Sequence, residues 1–201
     1  KSEEIRSNAS FHAAIRADEL RQLPTIDDVV GSIVDVIARE GLQPRTWGIF
    51  TSDNGRLWGE HRLGGKVYAY EESIRVPFRM MIPESPASTI DALVANIDVA
   101  PTLAALAGDK LRHSFDGQSL LPLLEDRRAS WRTGVLVEHF GPGRRFDGFR
   151  NARWTYVLWP STGHEELYDR RRDPYQLTNI AGREVGVAAR LRERTEILTG
   201  S

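Results

Sequence analysis

The feature that most constrains the fold is a short apolar run that ends in oxygen-bearing side chains. Residues 47–50 read Trp-Gly-Ile-Phe, and Asp53 and Asn54 follow within four positions of their end. An apolar run of this length that ends in a turn predicts a buried strand. Asp53 and Asn54 are therefore expected at the carboxyl end of a parallel strand, where open α/β sheets bind ligands.

An amphipathic pattern precedes this strand. From residue 10 to residue 40, apolar side chains recur at helical spacing and acidic side chains fall between them. Pro24 predicts a break followed by a new helix, and Gly41 predicts the helix end. A long helix that leads into a buried strand predicts an α/β sheet with covering helices.

Further elements are predicted downstream of the first strand. The pattern predicts strands at Val76–Ile82 and Ala92–Ile97, and a helix from Asp98 or Pro101 to Ala107. Near residue 130 the pattern changes to short strands separated by turns, and an amphipathic helix over Arg183–Leu198 closes the chain.

This change of pattern predicts two domains. Residues 1–128 form the α/β part, and residues 129–201 form a small α+β subdomain that contains an antiparallel sheet. With 201 residues, the chain is long enough for one large domain or slightly more.

The composition excludes several classes of protein. The net charge of −1 does not favour a nucleic-acid partner, and no apolar run approaches the roughly 18 residues of a membrane helix. The chain has no cysteine, which excludes disulfides, thiolate metal sites and a cysteine nucleophile within it. The chain begins at Lys1 without a methionine, which favours an interior segment of a longer protein.

Asp53 and Asn54 are candidate metal ligands. Carboxylate and amide oxygens are the hard donors that Ca²⁺ and Mg²⁺ accept. Asp-Asn-Gly is also an ordinary turn sequence, and this alternative remains open from the residues alone.

Lys66 and His61 are candidates for binding an anion. Lys66 follows Gly64 and Gly65, and the chain has only three lysines among its 27 basic residues. Glycines allow backbone N–H groups and an ammonium to approach an anion closely. His61 could donate to the same anion or act as a general acid, while a structural histidine and a solvated lysine are the alternatives.

Two other charged groups have simpler interpretations. Glu71 and Glu72 are either near the metal or at a helix N-terminus, and the helix is favoured. Three consecutive arginines, residues 170–172, are interpreted as a solvated turn.

Taken together, a series of ordered motifs resembles the C-terminal half of a type I, formylglycine-dependent sulfatase of the alkaline phosphatase superfamily. The resemblance covers roughly residues 20 to 185. The motifs are FTSDNG followed by GEHRLGGK and YEESIRVPF, then NIDVAPTLAALAG, DGQSLLPLL and ELYDRRRDPYQLTNIAG.

The resemblance implies roles for individual residues. Asp53 and Asn54 would coordinate a divalent cation, Ca²⁺ in the first place and Mg²⁺ as the alternative. Lys66 would contact the sulfate group and the leaving oxygen of a small-molecule or saccharide sulfate ester. His139 is a candidate for substrate binding because loops of the small subdomain border the pocket in such enzymes; Glu138 and Arg150 are candidates on the same ground.

The family's nucleophile is a formylglycine made from the cysteine or serine of a C/S-x-P-S-R motif, which this sequence does not contain. The resemblance therefore places the nucleophile upstream, in a missing N-terminal half of the same enzyme or in a partner chain, and predicts that these 201 residues alone are inactive. A phosphonate or phosphate ester hydrolase of the same superfamily is one alternative, and Asn54 favours the sulfatase. A non-catalytic binding fragment is the other.

Overall fold

The computed structural model describes residues 9–109, 114–141 and 145–200. The chain divides into two compact units, Lys1–Ala87 and Ser88–Ser201. The domain boundary that the sequence predicts, between residues 128 and 129, stays a prediction.

Within the described residues, the α-helices and strands of the first unit are α1 (Ala9–Arg39), β1 (Gly48–Thr51), β2 (Leu57–Trp58), β3 (Gly64–Gly65), α2 (Glu71–Ile74) and β4 (Phe78–Met81). Those of the second unit are α3 (Val99–Leu106), α4 (Leu121–Glu125), β5 (Gly134–His139), β6 (Phe146–Asn151), β7 (Trp154–Trp159), β8 (His164–Asp169) and α5 (Val185–Thr199).

Helix α1 runs without interruption for 31 residues. The predicted break at Pro24 is wrong, because the helix passes through this proline. Pro24 is exposed, so the Leu20 carbonyl that loses its helical partner can reach water. Neither α1 nor any other helix in the described part of the chain is long and apolar enough to cross a membrane.

Strand β1 pairs with β4 in an antiparallel ladder that aligns Ile49 with Met80 and Thr51 with Phe78. The strands predicted at residues 47–50 and 76–82 are confirmed as β1 and β4. The predicted burial of β1 is wrong, because its residues are half-buried and Phe50 is 42% exposed. The parallel neighbour that the sequence suggested for β1 is not found within residues 9–109, 114–141 and 145–200, where its partner runs antiparallel. The ladder fixes the point at which the chain leaves the sheet, immediately before Ser52.

In the second unit, β5, β6, β7 and β8 form an antiparallel sheet in the order of the sequence. Helix α5 packs on one face of this sheet. The core between them is formed by five buried side chains: Phe149, Tyr156, Leu167, Ala188 and Leu191. The short strands and the terminal helix that the sequence predicted are thereby confirmed.

The strand predicted at Ala92–Ile97 is wrong. Residues Asn96–Asp98 form a 3-10 helix that leads directly into α3. The Asp98 carboxylate accepts hydrogen bonds from the backbone N–H of Ala95 at 2.8 Å and of Gln118 at 2.9 Å. A side chain thus satisfies backbone donors that a strand would have used in a ladder.

Candidate functional site

The turn after β1 holds Asp53 and Asn54 in a defined geometry. The Asn54 backbone N–H donates to Asp53 Oδ1 at 2.9 Å, and the Ser52 hydroxyl donates to the Asn54 carbonyl at 3.0 Å. The Asn54 side-chain amide donates to the Gly55 carbonyl at 2.8 Å. Asn54 Oδ1 accepts no hydrogen bond from the described residues, so this oxygen is directed to ligand or solvent.

Gly55 anchors this turn to α2. Its N–H donates to the Ser73 carbonyl at 2.8 Å. A Cβ at position 55 would lie 2.1 Å from the Glu72 carbonyl oxygen, closer than any real Cβ contact. Only glycine therefore allows the backbone to approach this closely.

Lys66 lies beside Asp53. Strands β2 and β3 form a small hairpin in which Trp58 pairs with Gly64 and Leu57 pairs with Gly65, and Lys66 follows directly. Its Nζ donates to Asp53 Oδ2 at 3.2 Å. The structure thus brings together two of the residues that the sequence assigned to one site.

The electrostatics of this pair favour an ionised Asp53 carboxylate. The hydrogen bond from Lys66 lowers the pKa of Asp53 below its usual range, and the hydrogen bond from the Asn54 backbone adds to the effect. Both side chains are more than half exposed, Lys66 at 56% and Asp53 at 76%. Each can therefore engage a ligand that arrives from solvent.

His61 takes a different position. Its imidazole stacks on the Tyr70 ring with centroids 3.8 Å apart, and its Nε2 lies 3.6 Å from Glu72 Oε2. The backbone of His61 is left-handed, with φ of 54°, a conformation that non-glycine residues rarely adopt. Contact with an anion beside Lys66 stays a prediction, whereas the helical interpretation of Glu71 and Glu72 is confirmed by α2.

The contact between α1 and the β2–β3 hairpin was not predicted from the sequence. Glu19 accepts a 2.5 Å hydrogen bond from the Trp58 indole N–H and lies 3.1 Å from Arg56 Nε. His12, from the first turn of described helix, is 6% exposed and packs against Gly59 and Gly64. The polar residues His12, Arg16 and Glu19 recur at helical spacing and mark one side of α1, but this spacing does not identify the hairpin as the partner.

The remaining candidates lie in the second unit. His139 ends β5, and its ring lies 6.0 Å from that of Phe146. Glu138 pairs across the ladder with Asp147, and burial together with the Asp147 charge raises the Glu138 pKa. Arg150 lies opposite Val135 in the same ladder. Their part in substrate binding stays a prediction.

Two family models match this chain. The model described as "Sulfatase" matches residues 3–109, and the model described as "N-sulphoglucosamine sulphohydrolase, C-terminal" matches residues 59–199. The chain belongs to the sulfatase family. The resemblance that the sequence motifs indicated is confirmed.

Curated relatives agree with this membership. The chain is 31% identical over 193 residues to arylsulfatase K of Xenopus laevis, a match that covers 90% of this chain and 35% of the relative. It is 33% identical over 197 residues to human N-acetylglucosamine-6-sulfatase, covering 79% of this chain and 36% of the relative. The chain thus spans about a third of the length of these relatives.

Solved structures confirm the predicted fold class, the C-terminal part of an alkaline-phosphatase-like fold. One is a protein in complex with its substrate D-glucosamine-2-N,6-O-disulfate; its TM-score is 0.79 at 27% identity, over 89% of this chain and 38% of that one. The phosphonate monoester hydrolase of Agrobacterium radiobacter has a TM-score of 0.79 at 25% identity, over 96% of this chain and 42% of that one.

Proposed function

We propose that the full-length protein hydrolyses sulfate esters, with Lys66 binding the sulfate group beside a divalent cation held by Asp53 and Asn54. The observation that carries this proposal is the 3.2 Å contact between Lys66 Nζ and Asp53 Oδ2 in a chain of the sulfatase family. This contact joins the cationic loop to the turn with the oxygen donors. The family membership supplies the chemistry that such a pair would serve.

The oxygen donors fit part of a cation site. Asp53 offers an exposed carboxylate that is ionised near neutrality, and Asn54 offers an amide oxygen. Within the described residues no group of three or more His, Asp or Glu side chains could hold a metal. Because Ca²⁺ takes about six to eight oxygens, the other ligands would come from outside this sequence, from substrate and from water.

The proposed chemistry assigns Lys66 a role in the transition state. Its ammonium would neutralise negative charge that develops on the sulfate group and on the leaving oxygen. A cation bound at Asp53 and Asn54 would polarise the sulfate in the same direction. The nucleophile, a formylglycine in the family chemistry, would come from residues outside this sequence, which has no cysteine.

The substrate class that we propose is a sulfated amino sugar. Support comes from the N-acetylglucosamine-6-sulfatase relative and from the solved protein whose substrate is a disulfated glucosamine. A first panel contains N-sulfated and 6-O-sulfated glucosamine, an aryl sulfate and a phosphonate monoester. A higher kcat/KM for the phosphonate would favour the alternative that the Agrobacterium structure represents.

The decisive kinetic experiment replaces Lys66 with methionine in the full-length enzyme. Lys66→Met should lower kcat/KM for a sulfate ester by about a hundredfold, as expected for loss of one charge-stabilising donor. Arg79→Met is the matched control, because Arg79 is an exposed cation on β4. Equal kcat/KM values for Lys66→Met and the control would remove Lys66 from the active site.

Cation binding is tested separately by calorimetry with CaCl₂ and MgCl₂. Asp53→Asn removes the charged donor and should weaken Ca²⁺ binding by at least about tenfold. Asp18→Asn is the control, since the Asp18 side chain is 71% exposed and pairs with Arg21 instead. Undiminished Ca²⁺ affinity in Asp53→Asn would contradict the ligand assignment.

A further inference from the structure

We propose that helix α1 positions Lys66 by packing against the β2–β3 hairpin. The contacting residues on the helix are His12, Arg16 and Glu19, and together they are called the clamp. This inference rests on the proposed function of Lys66. The three clamp residues act as positioning residues: they contact the hairpin, and the hairpin presents the lysine.

The clamp residues form one stripe along α1. They are spaced by four and then three positions, so their side chains emerge on the same side of the helix. Elsewhere on α1 large apolar side chains are exposed, including Leu23 and Val29 at 52% and 54%. The clamp is therefore a local polar contact with a defined partner.

Glu19 holds the first strand of the hairpin. One carboxylate oxygen accepts from the indole N–H of Trp58 at 2.5 Å, and the other lies 3.1 Å from Arg56 Nε. The guanidinium of Arg16 lies 5.5 Å from the centroid of the Trp58 ring, within the range of a cation–π contact. Two helix residues thus fix the orientation of a single tryptophan.

His12 packs closely against the glycines of the hairpin, including Gly64 in β3. A Cβ at Gly64 would lie 2.6 Å from His12 Cε1, and a Cβ at Gly59 would lie 3.4 Å from His12 Cβ. His12 Nε2 is buried and has no hydrogen-bond partner among the residues that the structure describes. Packing against glycine, and not a hydrogen bond, is therefore the contribution of this imidazole.

The position of the hairpin determines the position of Lys66. Trp58, held by the clamp, pairs with Gly64, and Lys66 is two residues further along the chain. Its Nζ reaches Asp53 Oδ2 at 3.2 Å, so a shift of the hairpin changes this distance directly. A misplacement of about 1 Å in an active site can cost about a hundredfold in rate.

The test compares Glu19→Gln with Asp18→Asn in the full-length enzyme. Both changes convert a carboxylate to an amide on α1, but Asp18 contacts Arg21 and not the hairpin. Two quantities are measured: kcat and KM for a sulfate ester, and the rate at which acetic anhydride acylates Lys66, read by peptide mass spectrometry. Trp58→Phe, which removes the indole donor to Glu19 and leaves a smaller aromatic ring beside Arg16, is the second variant.

For Glu19→Gln and Trp58→Phe we expect kcat to fall about tenfold with KM within about twofold of wild type, as for an interaction that acts on the transition state. Lys66 acylation, measured after divalent cations are removed with EDTA so that Asp53 is not occupied, should accelerate severalfold, because the lysine leaves Asp53. The double variant should lose no more than the stronger single variant, since both weaken the same contact between Glu19 and Trp58. Asp18→Asn should match wild type in both measurements.

Two results would contradict the proposal that the clamp positions Lys66. One is acylation of Lys66 at the wild-type rate in Trp58→Phe and in Glu19→Gln, whatever the change in kcat. The other is a kcat equal to that of Asp18→Asn in both variants. If Glu19→Gln does not fold, Trp58→Phe decides alone. A wild-type enzyme without sulfatase turnover refutes the proposed function, and acylation of Lys66 then decides on the clamp independently.

Discussion

Arg132 neutralises a carboxylate that has no contact with solvent, and its replacement should be among the most destabilising changes in the second unit. Asp98 is fully buried, and the Arg132 side chain is 12% exposed. The guanidinium donates to Asp98 Oδ2 at 3.0 Å and also to Oδ1. Arg132→Met keeps much of the aliphatic volume but leaves the charge of Asp98 without its cation.

The magnitude follows from what remains around Asp98. Breaking a buried ion pair by removal of one partner costs about 3–5 kcal/mol. Backbone N–H groups of Ala95 and Gln118 still donate to the carboxylate, so we expect the lower end, about 3 kcal/mol. With a urea m-value of about 2 to 3 kcal/mol/M, the unfolding midpoint should fall by about 1 M or slightly more.

The assay is urea unfolding of the full-length protein followed by tryptophan fluorescence. Trp131 is a suitable reporter, because the Arg132 guanidinium lies 5.1 Å from the centroid of its ring. Arg128→Met is the control, since Arg128 is exposed on the same segment. A loss below about 1 kcal/mol, or one equal to that of the control, would refute the assignment of a buried charge pair.

Two further predictions concern a glycine and a titrating pair. Gly55→Ala should cost about 1–3 kcal/mol of unfolding free energy and weaken Ca²⁺ binding, whereas Gly182→Ala, which has open space, should not. Hydrogen bonding from Arg192 lowers the Glu165 pKa below its usual 4.5, so the stabilisation is present above that pH and is lost as pH falls through the folded value. Arg192→Met should lower Tm at neutral pH, and its difference from wild type should shrink as pH falls below 4.5 through the folded pKa of Glu165; parallel Tm–pH curves would contradict this.

Local sequence patterns correctly predicted the elements whose backbone N–H and C=O groups are hydrogen-bonded within the element or to a neighbouring strand. The strand at Gly48–Thr51 and the sheet of the second unit have this property. The strand predicted at Ala92–Ile97 failed because one buried carboxylate, Asp98, takes the backbone N–H of Ala95, inside the predicted strand, as well as that of Gln118. Apolar alternation cannot reveal such a partner, which lies 20 residues from Gln118 in sequence.

The candidate site was predictable for a different reason. Asp53 and Lys66 are 13 residues apart, and the motif order placed both on loops at one strand end. The contact between Glu19 and Trp58 spans 39 residues and joins a helix to a hairpin, so no local pattern indicates it. The helix break predicted at Pro24 was wrong. Proline breaks a helix in part because the carbonyl four residues earlier loses its hydrogen-bond donor, and on an exposed helix face water can replace that donor.

The contact between Lys66 and Asp53 bears on how the proposed cation and sulfate sites would act on each other. Asp53 Oδ2 holds the Lys66 ammonium, and an oxygen that binds a cation cannot keep an ammonium at 3.2 Å without strong repulsion between the two positive charges. Occupation of the proposed cation site would therefore release Lys66 from Asp53 and make its charge available to an anion. The same pair would then link cation binding to sulfate binding, and the glycines before Lys66 would give the lysine the freedom to move between the two.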